Sequence, residues 1–505
     1  MLPEYDIVIV GSGLGGLLCA AILGKEGYRV CVLEKNRQYG GSLQTFSRDK
    51  TLFDSGVHYI GGLAPGQTLQ QVFNYLGLMD VLKLQQLDED GFDRIYFLED
   101  GGEYALAQGY DRFATGLKQA FPAEAGAIDA YCSTIREICS KFPMYNLRTG
   151  EGMSGKETVM GIDTLGFLQS ITTNQRLQEV LAGNNFLYAG EPDKTPLYVH
   201  ALVVNSYIES AWKILDGGSQ ITKQLVKLIR SAGGDLFNHT EVVKLEGDNE
   251  RISMAVIKDG RQFRAKYFIS NLHPKKTVEI TESPLLKAAY RNRIKRLADT
   301  VSSFSLHAVL KPGVVKYLNH NYYLHQPGAV WKAVEASTAN WPASAGVFFT
   351  EDASRPGFAE SVSILTYMSA GEWDPWKESF NTDSQQGERG ADYHRLKAEK
   401  AELLLKLVAA RFPELTDAIN SYSCATPLSF RDYIGTEDGS IYGIAKDYRN
   451  PMATYLPTRT KVPNLFLTGQ NVLLHGILGV TITALTTCAE FVPVEGLLNK
   501  IRNAT

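Results

Sequence analysis

A chain of 505 residues, 44% hydrophobic and 21% charged, is long enough to bury a large core, and two domains are expected. Its net charge of -4 gives no reason to propose nucleic acid as a partner. The six cysteines (19, 31, 132, 139, 424 and 488) form no CxxC pair, so neither a zinc site nor a CxxC redox site is indicated; no metal is expected, and buried thiols in a reducing compartment are.

Residues 7–10, Ile-Val-Ile-Val, are an apolar, β-branched run that reads as a buried parallel strand. Gly11-Ser12-Gly13-Leu14-Gly15-Gly16 follows at once. Gly11 permits the tight turn, Gly13 lets main chain approach a pyrophosphate, and Gly16 lets the next helix pack closely on the sheet. Residues 14–25 read as that helix, its free N–H groups and positive dipole end facing phosphate. Residues 29–33 are a second apolar strand ending in Glu34, placed to accept hydrogen bonds from ribose hydroxyls. A lone GxGxxG is weak, but strand, turn, helix, strand and terminal acid in this order predict a dinucleotide-binding unit. No signal peptide precedes it, so a cytoplasmic chain is expected.

Lys35 to Phe46 carries the glycine pair Gly40-Gly41, which again suggests main chain close to phosphate or ribose. Residues 53–62, FDSGVHYIGG, mix aromatic and polar groups in a compact turn and strand. These segments together resemble the second part of the flavin-binding signature in the phytoene desaturase-like superfamily of FAD oxidoreductases. The wording FDSGVHYIGG is most similar to the retinol saturase branch. The resemblance implies FAD as cofactor, with Lys35, Gly41, Ser42 and His58 beside it. Relatives often have a basic residue where this chain has Ser42.

Residues 70–82, 112–121, 126–142 and 165–181 have helical periodicity, and Cys132 and Cys139 share one helix face. Residues 94–106 read as a hairpin turning at Asp100-Gly101. Residues 196–212 are strongly apolar and aromatic, and the run from His200 to Trp212, HALVVNSYIESAW, also resembles the saturase branch. The stretch 186–212 is expected to line a substrate site or to form an access patch at a membrane surface. Relatives approach the next glycine pair through aromatic-Pro-x, where this chain has Ile214-Leu215-Asp216. Gly217-Gly218-Ser219 opens a helix through Arg230, and 242–245, 251–257 and 267–270 read as strands. By resemblance the main chain of Val242 meets adenine.

From 284 to 455 strands, loops and helices alternate, with Thr382 to Lys400 expected as a solvated loop leading into an amphipathic helix at 396–411. The chain closes on PNLFLTGQN (463–471) and a glycine-led helix from Gly476. Residues 472–494 contain His475, several threonines and Glu490, too polar for a membrane span, and read as a buried helix. The resemblance makes this the C-terminal flavin segment, with Gly469 near phosphate and ribityl, Gln470 bonding a ribityl hydroxyl, and Gly479 and Val480 at the helix start facing the ring.

No second GxGxxG follows a strand, so a separate electron donor or acceptor is expected, and no GxSxG elbow suggests a hydrolase. His58, Tyr207, Tyr442 and His475 are the candidate polar groups, with Tyr442 or His475 as the general acid. The reading is an α/β chain of the glutathione-reductase-like fold: a discontinuous FAD-binding Rossmann domain (1–80, 215–283 and 456–505) and an α+β substrate domain (81–214 and 284–455). The expected reaction adds or removes hydrogen across a C–C bond of an apolar polyene, the substrate partner, with peripheral membrane contact as part of that expectation. An amine-oxidase-type flavin oxidase, a carotenoid isomerase-like enzyme and a non-catalytic flavoprotein are the alternatives.

Overall fold

The computed structural model describes residues 4–150, 156–335, 340–382 and 386–504. Three separate stretches of chain build one eight-stranded sheet. Its parallel part runs Asp235–Phe237, Val30–Leu33, Tyr5–Val10, Gln262–Ser270 and Leu465–Leu467. The antiparallel strands Val242–Gly247 and Ile252–Ile257, with Leu245 and Ala255 buried, and the short strand Thr281–Glu282 extend the sheet. Helices Leu14–Lys25, Ser219–Ser231 and Gly476–Cys488 pack together over one face. The last of these is polar in sequence yet buried. Thr481, Thr483, Thr486 and Thr487 each donate to the carbonyl four residues back, at 2.7–3.0 Å, so these four hydroxyls are paired within the helix itself.

A second sheet of seven strands runs Ile419–Ala425, Ser302–Leu310, Ala359–Met368, Ser344–Glu351, Asn321–His325, Asp93–Phe97 and Glu103–Leu106. Its side chains alternate between two environments. Phe304, Leu306, Tyr322, Val347 and Ile364 pack under helix Gly390–Ala409. Their neighbours Ser305, Tyr323, Phe348 and Leu365 face the other way, into a cavity. Helices Tyr110–Ala120, Ala125–Ser140, Thr164–Ile171, Gln175–Leu181 and Leu197–Glu209 close that side with a second large core.

The periodic run at 165–181 is two helices, not one. Thr172 is extended, and Asn174 caps the second helix by accepting the Leu177 N–H at 3.1 Å. Capping residues can restart a helix without disturbing its hydrophobic period. The charged stretch from 382 is shorter as a loop than expected, because the helix begins at Gly390; residues 383–385 lie outside the described residues. Glu388, Asp392, Arg395 and Glu399 face solvent, whereas Arg389 and Lys400 are buried and paired with Asp432 and Glu372. Helix Leu197–Glu209 is buried around most of its circumference, which corrects the expectation of an access patch there. Among the described residues no helix is long and apolar enough to cross a membrane.

Candidate active site

The parallel strands all end at one crevice, the position where open α/β sheets bind ligands. Gly11 and Ser12 follow the first strand, Glu34 the second, Asn271 the third and Gly469 the last. They wall one end of a cavity of about 1290 Å³. That cavity collects almost every residue the sequence singles out. Gly11, Ser12, Gly13, Gly15, Glu34, Lys35, Gly41, Ser42, His58, Val242, Tyr442, Gly469, Gln470, His475, Gly479 and Val480 all line it. Gly16 does not, because it lies beneath the helix. A Cβ there would stand 2.2 Å from the Gly11 carbonyl oxygen.

At this end the wall is bare main chain. A Cβ on Gly13 would lie 2.7 Å from Asn271 Nδ2. One on Gly15 would lie 2.7 Å from Asn271 Oδ1 and 2.9 Å from the Gly469 main chain, and one on Gly41 3.1 Å from Gly13 Cα. Glycines from two stretches therefore close around Asn271, and Gly41 from a third closes on Gly13. No side chain caps helix Leu14–Lys25 at Gly13, so its first-turn N–H groups face the crevice. This is a cradle suited to an anionic dinucleotide.

Glu34 ties the turn together. Its Oε2 accepts from Ser12 N at 3.0 Å and Ser12 Oγ at 2.6 Å, and Oε1 accepts from Asn36 N at 2.8 Å. A carboxylate has lone pairs beyond these three bonds, so it keeps capacity for a hydroxyl. Lys35 donates to the Asp432 carbonyl at 2.9 Å, and burial lowers its pKa. It fastens the nucleotide unit to helix Pro427–Ile434. Asn271 went unnoticed in the sequence. The available signal was a polar residue directly after a parallel strand, where the crevice must lie.

The other end is aromatic. Phe186 stacks on Tyr367 with centroids 4.4 Å apart, His58 on Phe348 at 4.5 Å, and Tyr442 lies 4.5 Å from His475. Leu202, Val203, Leu365, Ile441 and Leu474 fill between them. The four candidate polar groups divide in two. Tyr442 Oη donates to the Phe186 carbonyl, and His475 Nε2 bonds the Leu187 carbonyl at 2.9 Å. Each thus commits its proton to the main chain. Burial also pushes the Tyr442 phenol up and the His475 imidazole down to about 4, so the imidazole is neutral near pH 7. As placed, both hold the 186–187 segment. His58 Nε2 is buried without a hydrogen-bond partner, and Tyr207 lines the same cavity with its ring 4.6 Å from that of Tyr59. Burial, then the nearby Lys213, lowers His58 to about 4.

The sequence matches the family described as NAD(P)-binding Rossmann-like domain over residues 9–76. It is 28% identical to the all-trans-retinol 13,14-reductase of Rattus norvegicus, across 95% of this chain and 84% of that protein. It is 21% identical to the 4,4'-diapolycopene oxygenase of Methylomonas sp, across 92% and 93% of the two chains. The solved structure of putrescine oxidase bound to putrescine superposes with a TM-score of 0.64 at 13% identity, covering 97% of this chain and 99% of that one, and shares its fold.

Proposed function

We propose, from the premise that this chain is related over nearly its whole length to the retinol 13,14-reductases and to phytoene desaturase-like oxidoreductases, that it is an FAD-dependent oxidoreductase adding or removing hydrogen across a C–C bond of an apolar polyene. One observation carries this reading. A single cavity joins a glycine-walled nucleotide cradle to a chamber walled by Phe186, Leu202, Val203, Phe348, Leu365 and Tyr367.

The residues present suit such a cofactor: a Cβ at Gly13 or Gly15 would fill the cradle, and His58 leaves a buried nitrogen unpaired beside it. Gly11, Gly13, Gly15 and Gly41 would hold the pyrophosphate, Glu34 the ribose and Gln470 a ribityl hydroxyl. A bound flavin supplies or accepts the hydride. Phe186, Phe348 and Tyr367 exclude water from the reacting carbons, and a rigid, flat-walled chamber aligns a conjugated chain. Tyr442 and His475 fix the 186–187 segment that carries Phe186. With one dinucleotide unit, electrons would pass through a separate donor or acceptor, and a bilayer-dissolved substrate would be met by peripheral contact, tested by flotation with phosphatidylcholine vesicles.

The purified protein should be yellow and should release FAD on denaturation. Anaerobic mixing of the reduced protein with all-trans-retinol should reoxidise the flavin, or the oxidised protein should be reduced by the saturated product. Colourless protein that FAD cannot reconstitute removes the cofactor assignment. Reaction with primary amines and indifference to polyenes removes the substrate class.

A further inference from the structure

Behind the aromatic chamber lies a polar chain that the sequence did not suggest. Asp93, at the start of strand Asp93–Phe97, is fully buried. Its Oδ2 accepts from the Tyr59 hydroxyl at 2.8 Å and from Asn184 Nδ2 at 3.1 Å, and its Oδ1 accepts from Asn321 Nδ2 at 3.0 Å. The Tyr59 hydroxyl is in turn 2.7 Å from that of Tyr323. Both tyrosines line the cavity, and Asp93 does not.

We propose that Asp93, Tyr59 and Tyr323 form a proton relay that opens at the chamber wall, with Tyr323 as the group that exchanges a proton with the substrate carbon. The inference rests on the polyene oxidoreductase reading above and names the proton source that reading lacks.

Three features support a relay over a strand fastener. First, the acid has no counter-ion: among the described residues no lysine, arginine or histidine pairs with it, and its neighbours from each adjoining element are Tyr59, Asn184, Asn321 and Tyr323, with Tyr207 beside Tyr59. An asparagine would tie the same strands without burying a charge. Second, the shell suits either charge state. Asn321 Nδ2 donates to Oδ1 whether Oδ2 is ionised or carries the proton, so neither charge state leaves Oδ1 without a donor. Third, the chain has a direction that charge reverses. With Asp93 ionised, Tyr323 donates to Tyr59 and Tyr59 to Asp93. With Asp93 protonated, each hydroxyl proton points one step toward the chamber. Burial raises Asp93 to about 6, which brings that reversal into the working range.

In the reducing direction the substrate's π bond is consumed. One new C–H bond forms with a hydride, which brings both electrons from the reduced flavin, and the other forms with the Tyr323 phenolic proton. Tyr323 recovers a proton from Tyr59, and Tyr59 from the Asp93 carboxyl group, which is left as the carboxylate. Water admitted as product leaves returns a proton by the same path. In a desaturation the relay runs backwards.

Infrared spectroscopy of the purified protein tests the store without turnover. A buried carboxyl band should titrate with a midpoint near pH 6, vanish in Asp93→Asn and shift in Tyr59→Phe. Single turnover of the reduced protein with all-trans-retinol tests delivery. The wild-type rate should fall about tenfold per pH unit above the midpoint, Tyr323→Phe should slow it by ~10²-fold while retaining FAD and retinol binding, and Asp93→Asn should flatten the profile. If the band survives in Asp93→Asn, or if Tyr207→Phe rather than Tyr323→Phe loses the rate, the relay is wrong. Retinol reduction with wild-type kinetics in Tyr323→Phe and Asp93→Asn also overturns the relay while the proposed function stands. A titrating Asp93 band in a protein that ignores polyenes establishes the store and overturns the function.

Discussion

The two ends of the cavity are built from different materials. The nucleotide end is walled by main chain, with glycines at 11, 13, 15 and 469 closing on Asn271 and Gly41 closing on Gly13. The aromatic end is walled by side chains that arrive from one face of the second sheet and from the helices over it. The difference has an energetic meaning. A backbone wall has no rotamer to yield, so an added carbon there is a steric conflict. A side-chain wall can repack, and what it loses is a hydrogen bond or a contact.

The contrast can be broken most sharply at the cradle. Gly13→Val should leave the protein without flavin, read from its absorbance after reconstitution, because the β-branched side chain would strike Asn271. Gly16→Ala attacks the packing under the cradle instead. Its Cβ would meet the Gly11 carbonyl at 2.2 Å, so a loss of ~3 kcal/mol in chemical denaturation is expected even without cofactor. A variant as stable as wild type would show that this helix can lift off the strand.

At the other end the largest effect is one of pH. The Asp93 carboxyl is raised from 3.8 to about 6 by burial, so the folded protein holds its proton more tightly than the unfolded chain. The stability this gives is fully present below pH 3.8 and is lost as pH rises through 6, a change of roughly 3 kcal/mol that Asp93→Asn should remove. Urea unfolding at pH 4 and pH 7 measures it, and equal slopes in both proteins would discount the shift. Smaller still, Tyr442→Phe and His475→Ala should each cost about 1 kcal/mol and keep the flavin spectrum, since each gives up one bond to the 186–187 main chain. The His475→Ala cost should be smaller at pH 6 than at pH 8, by about 1 kcal/mol, because burial holds the folded ring neutral while the unfolded ring, with its ordinary value of 6.5, takes up a proton as pH falls.

The nucleotide end was readable because its parts are consecutive. Ile7 to Glu34 contains strand, turn, helix, strand and acid in one run of chain, and each glycine's place follows from that local geometry. Helix Gly476–Cys488 was readable as buried, but not why its threonines are tolerated there, since their hydroxyls are satisfied only once the helix has formed. The break at Thr172 was hidden because Asn174 restarts the helix in phase.

The sequence by itself determined the dinucleotide unit and the apolar character of the chamber, because main-chain conformation and residue type are local properties. Only the tertiary structure decided which polar groups are free to act. Tyr442 and His475 hydrogen-bond to carbonyls some 250 to 290 positions away in the chain, at Phe186 and Leu187. Asp93, unremarkable as one aspartate among many, meets Tyr59 and Tyr323 only because Asn321–His325 pairs in parallel with Asp93–Phe97. Hydrogen-bond partners over such separations are set by strand register and packing, which no local pattern encodes.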